Sequence, residues 1–196
     1  MANPEQMALV AAGLRAAAAA HERMAAGRAG AICDAAAAVA AAARGGHAVL
    51  AFGNGGSAAD AQHFVAELVG RYVTERRALA AVALTTDTSV LTAIGNDYGF
   101  DRVFARQVEA LGRPGGVAVG ITTSGRSPNV IAALEAAAAA GMTTIALTGR
   151  DGGPAGAAAA IHVHVPEDVT ARIQEVHATV LHLICEIVDE ELVDGR

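Results

Sequence analysis

The chain has 196 residues, of which 53% are hydrophobic, 17% charged and 3% aromatic, with a formal net charge of -6. That length suits a single domain with a real core, and the apolar content excludes a disordered chain. The acidic balance argues against a nucleic-acid partner, and all 14 basic residues are Arg, which removes lysine Schiff-base chemistry and the Walker-type phosphate loop.

In chain order, residues 5–44 read as two Ala-rich helices, parted near residues 27–30 and ended by Gly45-Gly46. Their faces carry so few polar groups that one side is expected to be buried against another chain. No uncharged apolar run approaches the ~20 residues of a membrane helix, and the opening Met-Ala-Asn-Pro-Glu-Gln shows no basic segment ahead of an apolar stretch. Cys33 and Cys185 match no CxxC pattern, so a reduced protein is expected. The expectation is a cytoplasmic protein with no membrane and no nucleic-acid partner.

From residue 45 onward, short β-rich runs alternate with helical stretches. Residues 47–53, 80–84, 117–121, 143–147 and 161–165 read as strands, and 57–74, 88–94, 100–111, 127–140 and 170–192 as helices. Such alternation implies right-handed crossovers and a mainly parallel sheet covered on both faces, in one domain spanning 1–196. Ligands of such sheets bind at the carboxyl ends of the strands, near a topological switch point.

Two strand-to-helix loops have the chemistry of phosphate sites. Gly53-Asn54-Gly55-Gly56-Ser57 lets the backbone approach a ligand and leads into a helix, with Ser57 where a capping hydroxyl would sit. Thr122-Thr123-Ser124-Gly125-Arg126-Ser127-Pro128 offers four hydroxyls ahead of a helix whose first turn holds Pro128. Gly53, Gly55 and Ala58 also fit a G-x-G-x-x-A dinucleotide pattern. The acidic residue that pattern needs at the end of the next strand is missing, because Glu75 comes before that strand and Asp87 too late.

His63 and Glu67 are four apart and project from one helix face. Gln174 and His182 share a later helix, eight apart, roughly 12 Å along the axis and about 80° around it. His21, His47, His162, His164 and His177 read as ordinary core or surface histidines.

The blocks GNGGSAADAQHFVAEL (53–68), NDYGF (96–100), TTSGRSPNVI (122–131), ALTGRDGG (146–153) and TARIQEVH with His182 resemble the phosphoheptose isomerase branch of the sugar-isomerase (SIS) domain superfamily. The resemblance implies an α/β fold: a three-layer α/β/α sandwich around a five-stranded parallel sheet, flavodoxin-like and preceded by N-terminal helices. It implies a homotetramer, a sugar phosphate substrate and one Zn²⁺ per subunit. Carried over by motif, Asn54, Gly55, Gly56, Ser57, Asn96, Asp97, Thr122, Thr123, Ser124, Ser127, Glu67 and Gln174 would bind substrate. Glu67 and His182 would be the catalytic pair, and His63, Glu67, Gln174 and His182 the zinc ligands. Aldose–ketose interconversion through an enediolate needs a base at the C–H and an acid at the oxygen, which a Glu and a His supply. The alternative within the superfamily is a non-catalytic adaptor that associates with the bacterial replication initiator. The presence of both Glu67 and His182 favours the enzyme, and the lack of a basic helix disfavours a regulator.

Overall fold

The structure, a computed structural model, describes residues 3–193. Asn3 caps helix α1 (Pro4–Gly27) by accepting the Glu5 N–H, and α2 (Ala29–Arg44) follows after a 77° bend at Arg28. Then come β1 (Val49–Gly53), α3 (Gly56–Val69), β2 (Ala81–Ala83) and α4 (Thr88–Tyr98). A 3-10 turn (Phe100–Arg102) leads to α5 (Ala105–Leu111), β3 (Val117–Thr122), α6 (Pro128–Ala139) and β4 (Thr143–Thr148). The chain closes with α7 (Gly153–Ala158), β5 (Ile161–His164) and α8 (Thr170–Val193).

All five strands are parallel, in the order β2-β1-β3-β4-β5, as a doubly wound sheet requires. The two-residue alternation of a strand sorts the core into two layers. Val49, Ala51, Val119 and Ile121 pack beneath α1, α2, α3 and α8, together with Ala35, Val39, Phe64, Ile173 and Ile184. Leu50, Phe52 and Ala118 face the other way, onto Phe104 and Val108 of the α5 region and Val130 and Leu134 of α6. The chain is thus the three-layer α/β/α sandwich expected. No single helix among the described residues is long and apolar enough to cross a membrane.

Three local expectations are corrected. The helix expected over 57–74 ends at Val69, because Gly70 takes its capping position and the Arg76 guanidinium binds the carbonyls of Glu67, Leu68 and Gly70. Ser57 is not the cap: Gly55, at φ 56° and ψ -120°, admits the chain to the helix early, leaving Ser57 buried in its first turn. The helix expected over 100–111 is split into a 3-10 turn and α5, and a short α7 starts within Gly152-Gly153-Pro154, a sequence that by itself signals a turn. The Ala-rich N-terminal pair buries much of its apolar face on its own α8, while Met7, Leu9, Val10 and Leu14 remain exposed.

Candidate active site

The strand order reverses between β1 and β3, so the loops leaving these two strands flank one crevice at the sheet's carboxyl edge. Asn54 and Asn129 join the two loops by a reciprocal amide pair. Asn54 Nδ2 donates to Asn129 Oδ1 at 2.9 Å, and Asn129 Nδ2 returns a bond to Asn54 Oδ1 at 2.8 Å. Asn129 is only 2% exposed, and this reciprocal pair gives both its amide nitrogen and its amide oxygen a partner inside the protein.

The loop after β3 forms a cup of hydroxyls. Buried Thr122 is its hub, with Oγ1 2.9 Å from Ser127 Oγ and 3.4 Å from Ser124 Oγ. Ser124 Oγ also accepts the Arg126 N–H at 3.2 Å. Ser127 holds the N-cap position of α6 without spending its hydroxyl on the cap; the hydroxyl instead meets Thr122, and the first N–H of α6 is left to a ligand or solvent. Gly125 has φ 66°, and a Cβ there would overlap the Gly152 carbonyl. The Gly149–Gly153 turn therefore buttresses the cup from behind, joined to it by the bond from Ala155 N–H to Gly125 O at 2.9 Å. At the mouth, a hydrogen bond from Arg126 holds the Asp151 carboxyl below the usual carboxylate range.

The second corner is made by α3 and α8. His63 Nε2 and His182 Nε2 face each other at 2.8 Å, one ring donating and the other accepting, and Glu67 Oε1 lies 3.5 Å from His63 Nε2. The two rings meet edge to face, with centroids 5.0 Å apart. Gln174, two turns earlier on α8, lies with its carboxamide against Gly56, where any Cβ would displace it. Helical spacing therefore sets Gln174 at the first loop and His182 against His63, as eight residues of α8 allow. Asn96 and Asp97 stand apart from both corners: Asn96 Nδ2 bonds Asp97 Oδ1 at 2.8 Å on the exposed end of α4.

Two imidazole nitrogens facing each other beside a carboxylate, with a carboxamide on the same helix, are donors that zinc accepts. As the side chains stand, no three His, Cys, Asp or Glu groups among the described residues converge to hold a metal. The 2.8 Å between ring nitrogens is also shorter than the roughly 3.3 Å separation set by tetrahedral Zn–N bonds. The donor chemistry fits; the pair must part by a few tenths of an ångström.

Several residues that matter here escaped the sequence reading. Tyr72 stacks on His182, and the buried Arg76–Asp189 pair ties the end of α3 to α8. Asp60, one turn before His63, has a buried Oδ2 without a partner, and loss of solvent raises its pKa against the opposing pull of His63. Burial, aided by the Glu67 and Asp189 carboxylates, pushes the Cys185 thiol up to about 12, so it is no nucleophile. An acid such as Asp189 on the apolar face of α8 is the one sequence signal that could have pointed to the pair.

Residues 14–149 match the family model described as SIS domain. The chain is 61% identical over 149 residues, 76% of its own length and 78% of the relative's, to a phosphoheptose isomerase of Geobacter sp. strain M21. It is similar to the solved phosphoheptose isomerase of Neisseria gonorrhoeae, with TM-score 0.89 and 48% identity, covering 94% of this chain and 99% of that one. The solved phosphoheptose isomerase of Francisella tularensis gives TM-score 0.90 at 38% identity, over 94% and 98% of the two chains.

Proposed function

Since this chain belongs to the SIS domain family and, within it, to the phosphoheptose isomerases, we propose that it converts D-sedoheptulose 7-phosphate to D-glycero-D-manno-heptose 7-phosphate. It is an isomerase, and the non-catalytic adaptor reading falls with that assignment. The observation that supports the specific reading is the approach of His63 to both Glu67 and His182, on helices whose Gln174 touches the Gly56 loop that the Asn54–Asn129 pair joins to the start of α6.

In this reading the 7-phosphate occupies the cup of Thr122, Thr123, Ser124 and Ser127 at the amino end of α6, where hydroxyls and N–H groups answer its charge. Asn54, Gly55, Gly56, Ser57 and Gln174 line the sugar, while Asn96 and Asp97, which lie apart on the exposed end of α4, are assigned to substrate by family resemblance alone. The carboxylate of Glu67 removes the proton from C1 while the His182 imidazole gives a proton to the C2 oxygen, forming the enediol through an enediolate-like transition state. Returning the proton to C2 and withdrawing one from the C1 oxygen completes the aldose. His63, Glu67, Gln174 and His182 would hold one zinc ion per subunit, which would supply charge stabilisation to the sugar oxygens.

The product would open the route to nucleotide-activated heptose for surface glycans such as the lipopolysaccharide core, in the cytoplasm. The exposed Met7, Leu9, Val10 and Leu14 of α1 support a homotetramer in which copies of this chain cover one another's N-terminal helices. An isomerase assay on sedoheptulose 7-phosphate tests the chemistry. Glu67→Gln and His182→Ala are each expected to lose at least ~100-fold in turnover, the scale of a lost general acid or base. Near-normal turnover in Glu67→Gln would remove it as the base.

A further inference from the structure

The segment between α3 and β2 is strapped down by one buried ion pair. Arg76 Nε bonds Asp189 Oδ1 at 2.7 Å, with the two side chains 2% and 3% exposed. The other Asp189 oxygen accepts the N–H groups of Val73 and Thr74 at 3.1 and 3.0 Å. The rest of the guanidinium binds the carbonyls of Glu67 at 2.8 Å and of Leu68 and Arg77 at 3.0 Å. Nearly every polar atom of the pair is thus spent on fixing residues 70–77 between the end of α3 and the side of α8.

Tyr72 is carried on that strap, next to the anchored Val73. Its ring stacks on the imidazole of His182, centroids 5.5 Å apart and planes 23° from parallel. His63 meets the same imidazole edge-on, at 80°. An imidazole ring on a helix otherwise turns freely about its last bond, since that torsion is broad. A flat neighbour on its face restricts that rotation and fixes the direction in which Nε2 points. We propose that Tyr72, held by the Arg76–Asp189 pair, is a positioning residue that sets the imidazole plane of His182. The inference deepens the functional reading above and rests on it.

The test uses the full chain with ¹³C-labelled histidine, the His182 resonance being identified by its loss in His182→Gln. Tyr72→Phe keeps the flat face and should leave that resonance in place, with turnover within about twofold of the unaltered chain. Tyr72→Leu fills similar space without a ring. It should remove the ring-current shift at His182 and lower kcat about 10-fold, with KM changed less than about twofold, as a misaligned catalytic group does. An unmoved resonance, an unchanged kcat, or a rise in KM alone in Tyr72→Leu overturns the positioning role. Failure of the underlying reading would look different: His182→Gln itself would then turn over sedoheptulose 7-phosphate at the normal rate.

Discussion

The cup after β3 and the corner between α3 and α8 serve one crevice but are assembled by different means. The cup comes from consecutive residues, Thr122 to Ser127, and its shape is a backbone shape that depends on Gly125 and the glycine turn behind it. The corner joins His63 and His182, 119 positions apart, and its alignment depends on side chains and on a buried charge pair between their helices. The cup should therefore be sensitive to added bulk and tolerant of charge changes at its mouth. The corner should be sensitive to lost charge partners.

The largest expected effect is on the corner's strap. Arg76→Met leaves the Asp189 carboxylate buried without its partner and should cost about 3–5 kcal/mol in denaturant unfolding. Arg76→Met with Asp189→Leu removes both charges and should recover much of that loss; equal destabilisation of the single and double variants would show that the charge is not what matters. Next comes Gly125→Ala, where the added methyl meets the Gly152 carbonyl at a positive φ. It should destabilise by roughly 1–3 kcal/mol, the scale of such backbone strain, and raise the KM for the sugar phosphate more than it lowers kcat.

A pH effect of similar size separates the core behind the cup from both corners. His177 is fully buried, its Nε2 donating to the Thr148 carbonyl at 3.2 Å and its Nδ1 unpartnered. Burial pushes its pKa down to about 4. The unfolded chain takes up that proton near pH 6.5, so between 6.5 and about 4 it binds more protons than the folded chain does. His177's contribution is therefore complete above pH 6.5 and declines as pH falls through that window, by about 1.4 kcal/mol per unit at most. Urea titrations of the unaltered chain and His177→Gln should converge in slope across the window if another group is responsible, and diverge if His177 is.

Smaller still is Asn129→Leu, which leaves the Asn54 amide half-paired. A loss of about 1–3 kcal/mol is the upper scale for a buried orphaned group, and the partly open site places this case at the lower end. The smallest effect is expected at the mouth, where Asp151→Asn, in an exposed ion pair with Arg126, should leave the unfolding midpoint unchanged.

This contrast also explains what could be read in the chain before folding. The strand runs, the doubly wound class and both Gly- and hydroxyl-rich loops are contiguous patterns, so the alternation and the motifs showed them directly. His63 and Glu67 were visible as a helical pair because four residues make one turn. That His182 would meet them could not come from spacing and entered through resemblance, as did the roles of Gln174, Asn96 and Asp97. Asn129, Tyr72, Arg76 and Asp189 stayed hidden for a physical reason: each acts through a partner brought by tertiary packing, and Arg or Asp on its own reads as surface charge. Ser57 lies two residues past the true cap because the unusual angles of Gly55 cannot be inferred from its identity alone.

The central claim is that Glu67 moves a carbon-bound proton. Running the isomerisation in D₂O and locating deuterium in the product by NMR tests it directly. Proton transfer through an enediol predicts solvent deuterium at C2 of the aldose, with exchange and turnover both reduced by at least ~100-fold in Glu67→Gln. Normal turnover, or normal exchange, in Glu67→Gln would contradict it.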